Sequence, residues 1–161
     1  MNARGLTLIE VMMALAVLAL VATLALPSFA AMGERARLKS VAETLAADLA
    51  QARLEAARRG LPLHVEFDSR PDWCWGVATR SGCSCGEPQP CQLKTEHAAD
   101  HAGIELVDAR NAHLEPAGFA LQGGGAEFRA PHGERLRVVL AALGPAHICA
   151  PRAPVTGYPA C

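Results

Sequence analysis

The residues best equipped for chemistry are six cysteines: Cys74, Cys83, Cys85, Cys91, Cys149 and Cys161. Thiols at this density in a short chain serve as disulfides in an oxidising compartment or as metal ligands. Cys83, Cys85 and Cys91, with His97 and His101 downstream, hold enough sulfur and imidazole to assemble a zinc site. Their spacing matches no common finger pattern, and both histidines sit in a polar stretch where solvation is the ordinary outcome, so no metal is expected. Catalytic groupings have less support. Ser69, Ser81 and Ser84 lack the Gly-x-Ser-x-Gly turn that presents a nucleophile. Gly123-Gly124-Gly125 precedes no helix signal and is no phosphate loop. The chain reads as non-enzymatic and without a cofactor. One cationic group remains. In residues 129 to 161, Arg129, Arg135, Arg137 and Arg152 are opposed by Glu134 alone. Such a surplus can contact a few phosphates, weakly and in a salt-sensitive way; a solvated strand face is the plainer reading.

These residues must be positioned by a single domain. The chain has 161 residues and a mass of 16.9 kDa, too short for two ordinary domains. The hydrophobic fraction is 51% with only 4% aromatics, and 19% of residues are charged, which excludes disorder of the whole chain. A net charge of -1 argues against a generic nucleic-acid binder.

The apolar residues are concentrated at the N-terminus. No charge occurs from Val11 to Gly33. As a helix, Leu6 to Leu26 would span roughly 31 Å, against about 30 Å of bilayer core. An ordinary signal peptide would use Arg4, this apolar stretch and Ser28-Phe29-Ala30 as a cleavage site. Against it stand the length of the stretch, the continuation of the helical pattern past Ala30, and Glu10, a carboxylate costly in lipid unless partnered. Charge bias does not set orientation, because Arg35, Arg37 and Lys39 follow the segment as Arg4 precedes it.

From Glu34 to Arg59, Leu38, Val41, Leu45, Leu49, Ala52 and Ala56 recur every three or four residues and predict one apolar helix stripe. Arg37, Ser40, Thr44, Asp48, Gln51, Glu55 and Arg58 lie mostly off it. Gly60 and Pro62 end the helix. Leu63, Val65 and Phe67 alternate with His64, Glu66 and Asp68 as a half-buried strand, and 73–79 reads as a second. Residues 80–102 read as a loop. Ile104, Leu106 and 119–121 suggest short strands. Residues 126–142 read as a hairpin whose loop, Pro131-His132-Gly133, sets Phe128 opposite Leu136 and Arg129 opposite Arg135.

Gly5-Leu6-Thr7-Leu8-Ile9-Glu10 resembles the prepilin signal of type IV pilins and type II secretion pseudopilins. The resemblance implies cleavage between Gly5 and Leu6 by a prepilin peptidase, N-methylation of Leu6, and a role for Glu10 in assembly, neutralising a terminal amine. Leu6 departs from the family's usual Phe; Pro27 matches a helix-kinking Pro common at this depth. Residues 52–60 followed by a strand, Asp72-Trp73-Cys74-Trp75-Gly76, and an ending through Ile148-Cys149 to Tyr158-Pro159-Ala160-Cys161 are similar to the GspH/FimT branch of minor pilins and pseudopilins. The implied fold is α+β and pilin-like: a long N-terminal helix, its first half transmembrane, packed on an antiparallel β-sheet head. The implied layout is a leader at 1–5, a transmembrane helix at 6–33, a soluble helix at 34–60 and a periplasmic head at 61–161, anchored by one pass in the inner membrane.

The resemblance also implies a Cys149–Cys161 disulfide, like the C-terminal loop of many pilins. Cys83 and Cys85 are too close to pair well. That leaves 74–83 with 85–91, or 74–85 with 83–91, and the sequence does not choose. The function implied is that of a FimT-like minor pilin in type IV pilus assembly or initiation, partnered by other pilin subunits. The alternatives are the minor pseudopilin H of a type II secretion system and a pilus-associated DNA-binding protein. Some relatives bind DNA through a Gly-Arg-x-Arg element. Here the matching stretch is Gly144-Pro145-Ala146-His147, both arginines being absent, so a DNA site would rest on Arg129, Arg135, Arg137 and His147 and be weak.

Overall fold

The computed structural model describes residues 7–161, with the backbone alone at residues 24–28 and 30. The chain divides into two compact units after Gly33. Helix α1 runs Leu8–Arg59. Its portion before the division exposes large apolar side chains throughout, from Leu8 at 79% to Val21 at 55%. Among the described residues no helix is long and apolar enough to cross a membrane. Leu6 and the side chains of 24–26, which belong to the apolar stretch read from the sequence, lie outside them.

The second unit has its own core. All six stripe residues of α1, from Leu38 to Ala56, are buried together with Ala42. The helix ends at Arg59 because the Leu61 amide turns back to the Ala56 carbonyl at 3.3 Å, the closing bond of a glycine-terminated helix. Two antiparallel sheets pack against this stripe, where the sequence suggested one. The first has strand order β3-β2-β1-β5-β6, from β1 (Leu63–Asp68), β2 (Cys74–Ala78), β3 (Gln92–His97), β5 (Ala112–Leu114) and β6 (Ala120–Gln122). The second runs β4-β7-β8-β9, from β4 (Glu105–Arg110), β7 (Gly125–Arg129), β8 (Arg135–Leu140) and β9 (Ala146–Cys149).

The stretch 80–102, read as a loop, contains strand β3 and a short 3-10 turn at Ala98–Asp100. Its register explains the misreading. Val77 and Trp75 face the core, and their partners are Lys94 and Glu96. The inward positions of this edge strand are thus charged, and the usual alternation is lost. The β7–β8 hairpin has the register read from the sequence, Phe128 opposite Leu136 and Arg129 opposite Arg135. Its loop closes by the Gly133 amide on the Ala130 carbonyl at 2.8 Å, with Gly133 at φ +88°. Gly123-Gly124-Gly125 is a passage between backbones. A Cβ would stand 2.5 Å from the Leu140 carbonyl oxygen at Gly123, 2.5 Å from that of Arg110 at Gly124, and 2.0 Å from that of Val138 at Gly125.

Aromatic rings hold the centre. Trp73 and Trp75 stack at 5.7 Å, and Phe128 tilts against both. Burying indole nitrogens requires acceptors. Trp73 Nε1 donates to the Ile104 carbonyl at 3.0 Å, and Trp75 Nε1 to Asp48 Oδ2 at 3.0 Å.

Candidate functional site

The N-terminal candidates divide at the edge of the described residues. Gly5 and Leu6 lie outside them. Glu10 is exposed in the first turn of α1, where its amide and that of Val11 bond to the Thr7 carbonyl at 3.1 and 3.2 Å. A carboxylate there also meets the positive end of the helix dipole favourably. Around it, Leu8, Ile9, Met12 and Met13 are all more than half exposed. An apolar helix surface with one carboxylate near its start has its burial partners outside its own unit.

The cysteines are all in disulfides: Cys74–Cys85, Cys83–Cys91 and Cys149–Cys161. The first two are interlaced, the second of the pairings left open by the sequence. Their place follows from β2, which is buried along its whole length. Trp75 and Val77 face the helix, so Cys74, Gly76 and Ala78 face the other way. The loop after β2 covers that second face. Cys85 packs where Gly76 has no side chain, 3.3 Å from the position of a Cβ, and Cys83 and Cys91 bury against Ala78. With their thiols oxidised, these cysteines have no sulfur left for a metal. His101 is also not a solvated side chain; it stacks on Trp73 and Trp75 at 5.8 and 5.9 Å. Among the described residues, no three or more His, Cys, Asp and Glu side chains stand placed to hold a metal ion.

The third disulfide closes the tail, which docks on the helix. Val155 is buried, Lys39 Nζ donates to the Thr156 carbonyl at 2.7 Å, and the Tyr158 hydroxyl donates to Glu43. Burial and the Glu43 carboxylate push the Tyr158 hydroxyl up to about 12.

The arginines proposed for nucleic acid are brought together on the outer face of the second sheet, each already paired to a carboxylate. Arg129 Nε donates to Glu105 at 2.9 Å. Arg135 and Arg137 donate to the two oxygens of Glu127 at 2.8 and 3.0 Å. Burial pushes the Glu127 carboxyl up, but hydrogen bonds from Arg135 and Arg137 outweigh it and hold it below its usual value. Glu127 lies on the same face as these arginines, but covered, at 4% exposure. His147 is exposed on β9, opposite Val139, and the Gly144 carbonyl accepts from Arg53. The positive surplus of residues 129–161 is thus reduced by Glu105 and Glu127, which precede that window.

Sequence reasoning missed Asp48. It is 3% exposed and accepts from Trp75 and, at 2.6 Å, from Lys94. Burial would lower the Lys94 ammonium's pKa, but hydrogen bonds to Asp48 and Glu96 outweigh it and raise it. The signal was available, because Asp48 falls three residues after Leu45 and four before Ala52, on the stripe itself.

Two family models match. One, described as type II transport protein GspH, covers residues 41–144, which takes in the buried stripe from Val41 on, the first sheet and most of the second. The other, a prokaryotic N-terminal methylation motif, covers residues 1–26. No curated protein and no solved structure matches the chain. Members of this family are structural, pilin-like subunits anchored in the inner membrane. With its stripe-on-sheet head and its apolar, Glu10-bearing helix, the chain belongs to the GspH family of pilins and pseudopilins.

Proposed function

We propose that this chain is a FimT-like minor pilin, a non-enzymatic subunit that takes part in the assembly or initiation of a type IV pilus. The observation that carries the reading is the helix before Gly33. It exposes apolar side chains throughout and places Glu10 in its first turn, a surface that other subunits of the same kind can bury. In this reading residues 1–5 are a leader removed by the prepilin peptidase between Gly5 and Leu6, and Leu6 is N-methylated. Residues 6–33 form a single pass through the inner membrane, residues 34–60 the soluble helix and residues 61–161 the periplasmic head. Glu10 neutralises the terminal amine of a neighbouring subunit, since a carboxylate in lipid is tolerable only beside a cation. Three disulfides suit a head in an oxidising compartment.

The second reading is the minor pseudopilin H of a type II secretion system, favoured by the description of the matching family as a type II transport protein. Deleting the gene in its host separates the two. Loss of surface pili with secretion intact supports the minor pilin. Loss of secretion with pili intact supports the pseudopilin, and no effect on either contradicts both. Complementation with Glu10→Ala is expected to restore membrane insertion and not the lost function.

A further inference from the structure

His64 and His113 stand directly opposite each other on the antiparallel strands β1 and β5. Their neighbours Leu63, Val65, Ala112 and Leu114 are buried, so both imidazoles lie on the outer face of the first sheet. The ring centroids are 4.4 Å apart and the planes tilted by 32°. Glu115 follows at the end of β5, with Oε1 3.3 Å from His113 Nε2. That nitrogen is shielded from solvent and, although the carboxylate is within ion-pair distance, makes no hydrogen bond. The nearby carboxylate on the same strand face, Glu66, is committed elsewhere. Its two oxygens accept from the Gly82 amide at 2.9 Å and from Asn111 at 3.3 Å.

We propose that His64 and His113 chelate a divalent transition-metal ion between β1 and β5, with the Glu115 carboxylate as third ligand. Neutral imidazole is the ligand that suits zinc, copper and nickel. Opposed side chains on paired strands have Cβ atoms about 4.5–5.5 Å apart, close enough for two rings to meet one ion at about 2.0–2.1 Å after small side-chain rotations. Because no three such side chains already stand placed for an ion, the pair is a two-imidazole chelate that draws Glu115 in, and not a preset centre. Binding would add a crosslink between two strands already paired in the sheet but far apart in the chain.

The test is a Zn²⁺ titration of the full chain, oxidised, without a histidine tag, in detergent micelles. The expected result is one equivalent bound by calorimetry and an unfolding midpoint that rises with Zn²⁺. His64→Ala and His113→Ala should each weaken binding at least about tenfold, since even losing an outer-shell partner costs a metal site that much. His132→Asn, at a histidine 65% exposed on another hairpin, should change nothing. No binding, or binding undiminished in both histidine variants, overturns the proposal. Should a variant fail to fold, the unmutated chain gives the answer. Zn²⁺ should protect His64 and His113 from acylation by diethyl pyrocarbonate, and unprotected rings would overturn the site.

Discussion

Replacing Glu127 by Ala should be among the most damaging single changes on the surface of the second sheet. The carboxylate is 4% exposed and receives hydrogen bonds from Arg135 and Arg137. Removing one member of a buried ion pair costs about 3–5 kcal/mol. Arg137 is 43% exposed and can regain water, while Arg135 is 15% exposed and cannot, so the cost falls to the bottom of that range or just below it, about 2–3 kcal/mol. Arg135 would also be left opposite Arg129, a like-charge cross-strand pair. For a head of this size each kcal/mol moves the unfolding midpoint by about 3–5 °C, giving a drop of about 6–15 °C at pH 7. Glu127→Gln keeps the shape and one acceptor and should lose about half as much. The sign with pH is fixed. Glu127 titrates below 4.5 in the folded chain, so its contribution is complete above the unfolded value and is lost as pH falls through the folded one. Calorimetry on a fragment beginning at Glu34, which carries the whole buried core, measures both. A midpoint within about 2 °C of the parent at pH 7, on that same scale, or a Gln difference that persists undiminished at pH 3, refutes the reasoning.

Asp48→Ala should cost about 2–4 kcal/mol by urea unfolding, because it leaves the buried Trp75 indole without an acceptor and Lys94 with Glu96 alone; Asp48→Asn should recover part of it. Peptide mapping of the oxidised head should return 74–85, 83–91 and 149–161 crosslinks with no free thiol. Changing Cys149 and Cys161 together to Ser should cost about 3 kcal/mol, softened by the Lys39 and Tyr158 contacts that still hold the tail. A gel-shift series with duplex DNA should show no shift at moderate salt, since Arg129 is already paired to Glu105 and both Arg135 and Arg137 to Glu127. A shift whose salt slope flattens by about two units in an Arg135→Ala, Arg137→Ala double variant would instead restore the DNA-binding reading.

The parts of the fold legible in the sequence are those where one face is apolar and the other polar. The stripe from Leu38 to Ala56 and the alternation of β1 and β8 meet that condition, and the hairpin register followed from a loop length and one glycine. Legibility failed where polar side chains point inward. Lys94 and Glu96 turn a strand into an apparent loop because they face Asp48 and the core. Asp48 itself was set aside as polar although its position is on the stripe. Glu127 and Glu105 lie outside the window in which the arginines were counted, and only strand pairing brings them across. Pattern reads local burial, whereas charge matching across strands is a property of the register. The methylation motif at the N-terminus was legible for a different reason. It is encoded in consecutive residues, and no folded contact is needed to read it.

As a minor pilin, this chain would be made as a prepilin and matured for assembly through its apolar helix. The decisive measurement is the intact mass and N-terminal sequence of the protein extracted from membranes of a host with an active prepilin peptidase. The mature chain is expected to start at Leu6 and bear one N-methyl group, with Glu10 as its fifth residue. A chain starting at Ala31, cut as an ordinary signal peptide would be, would contradict it.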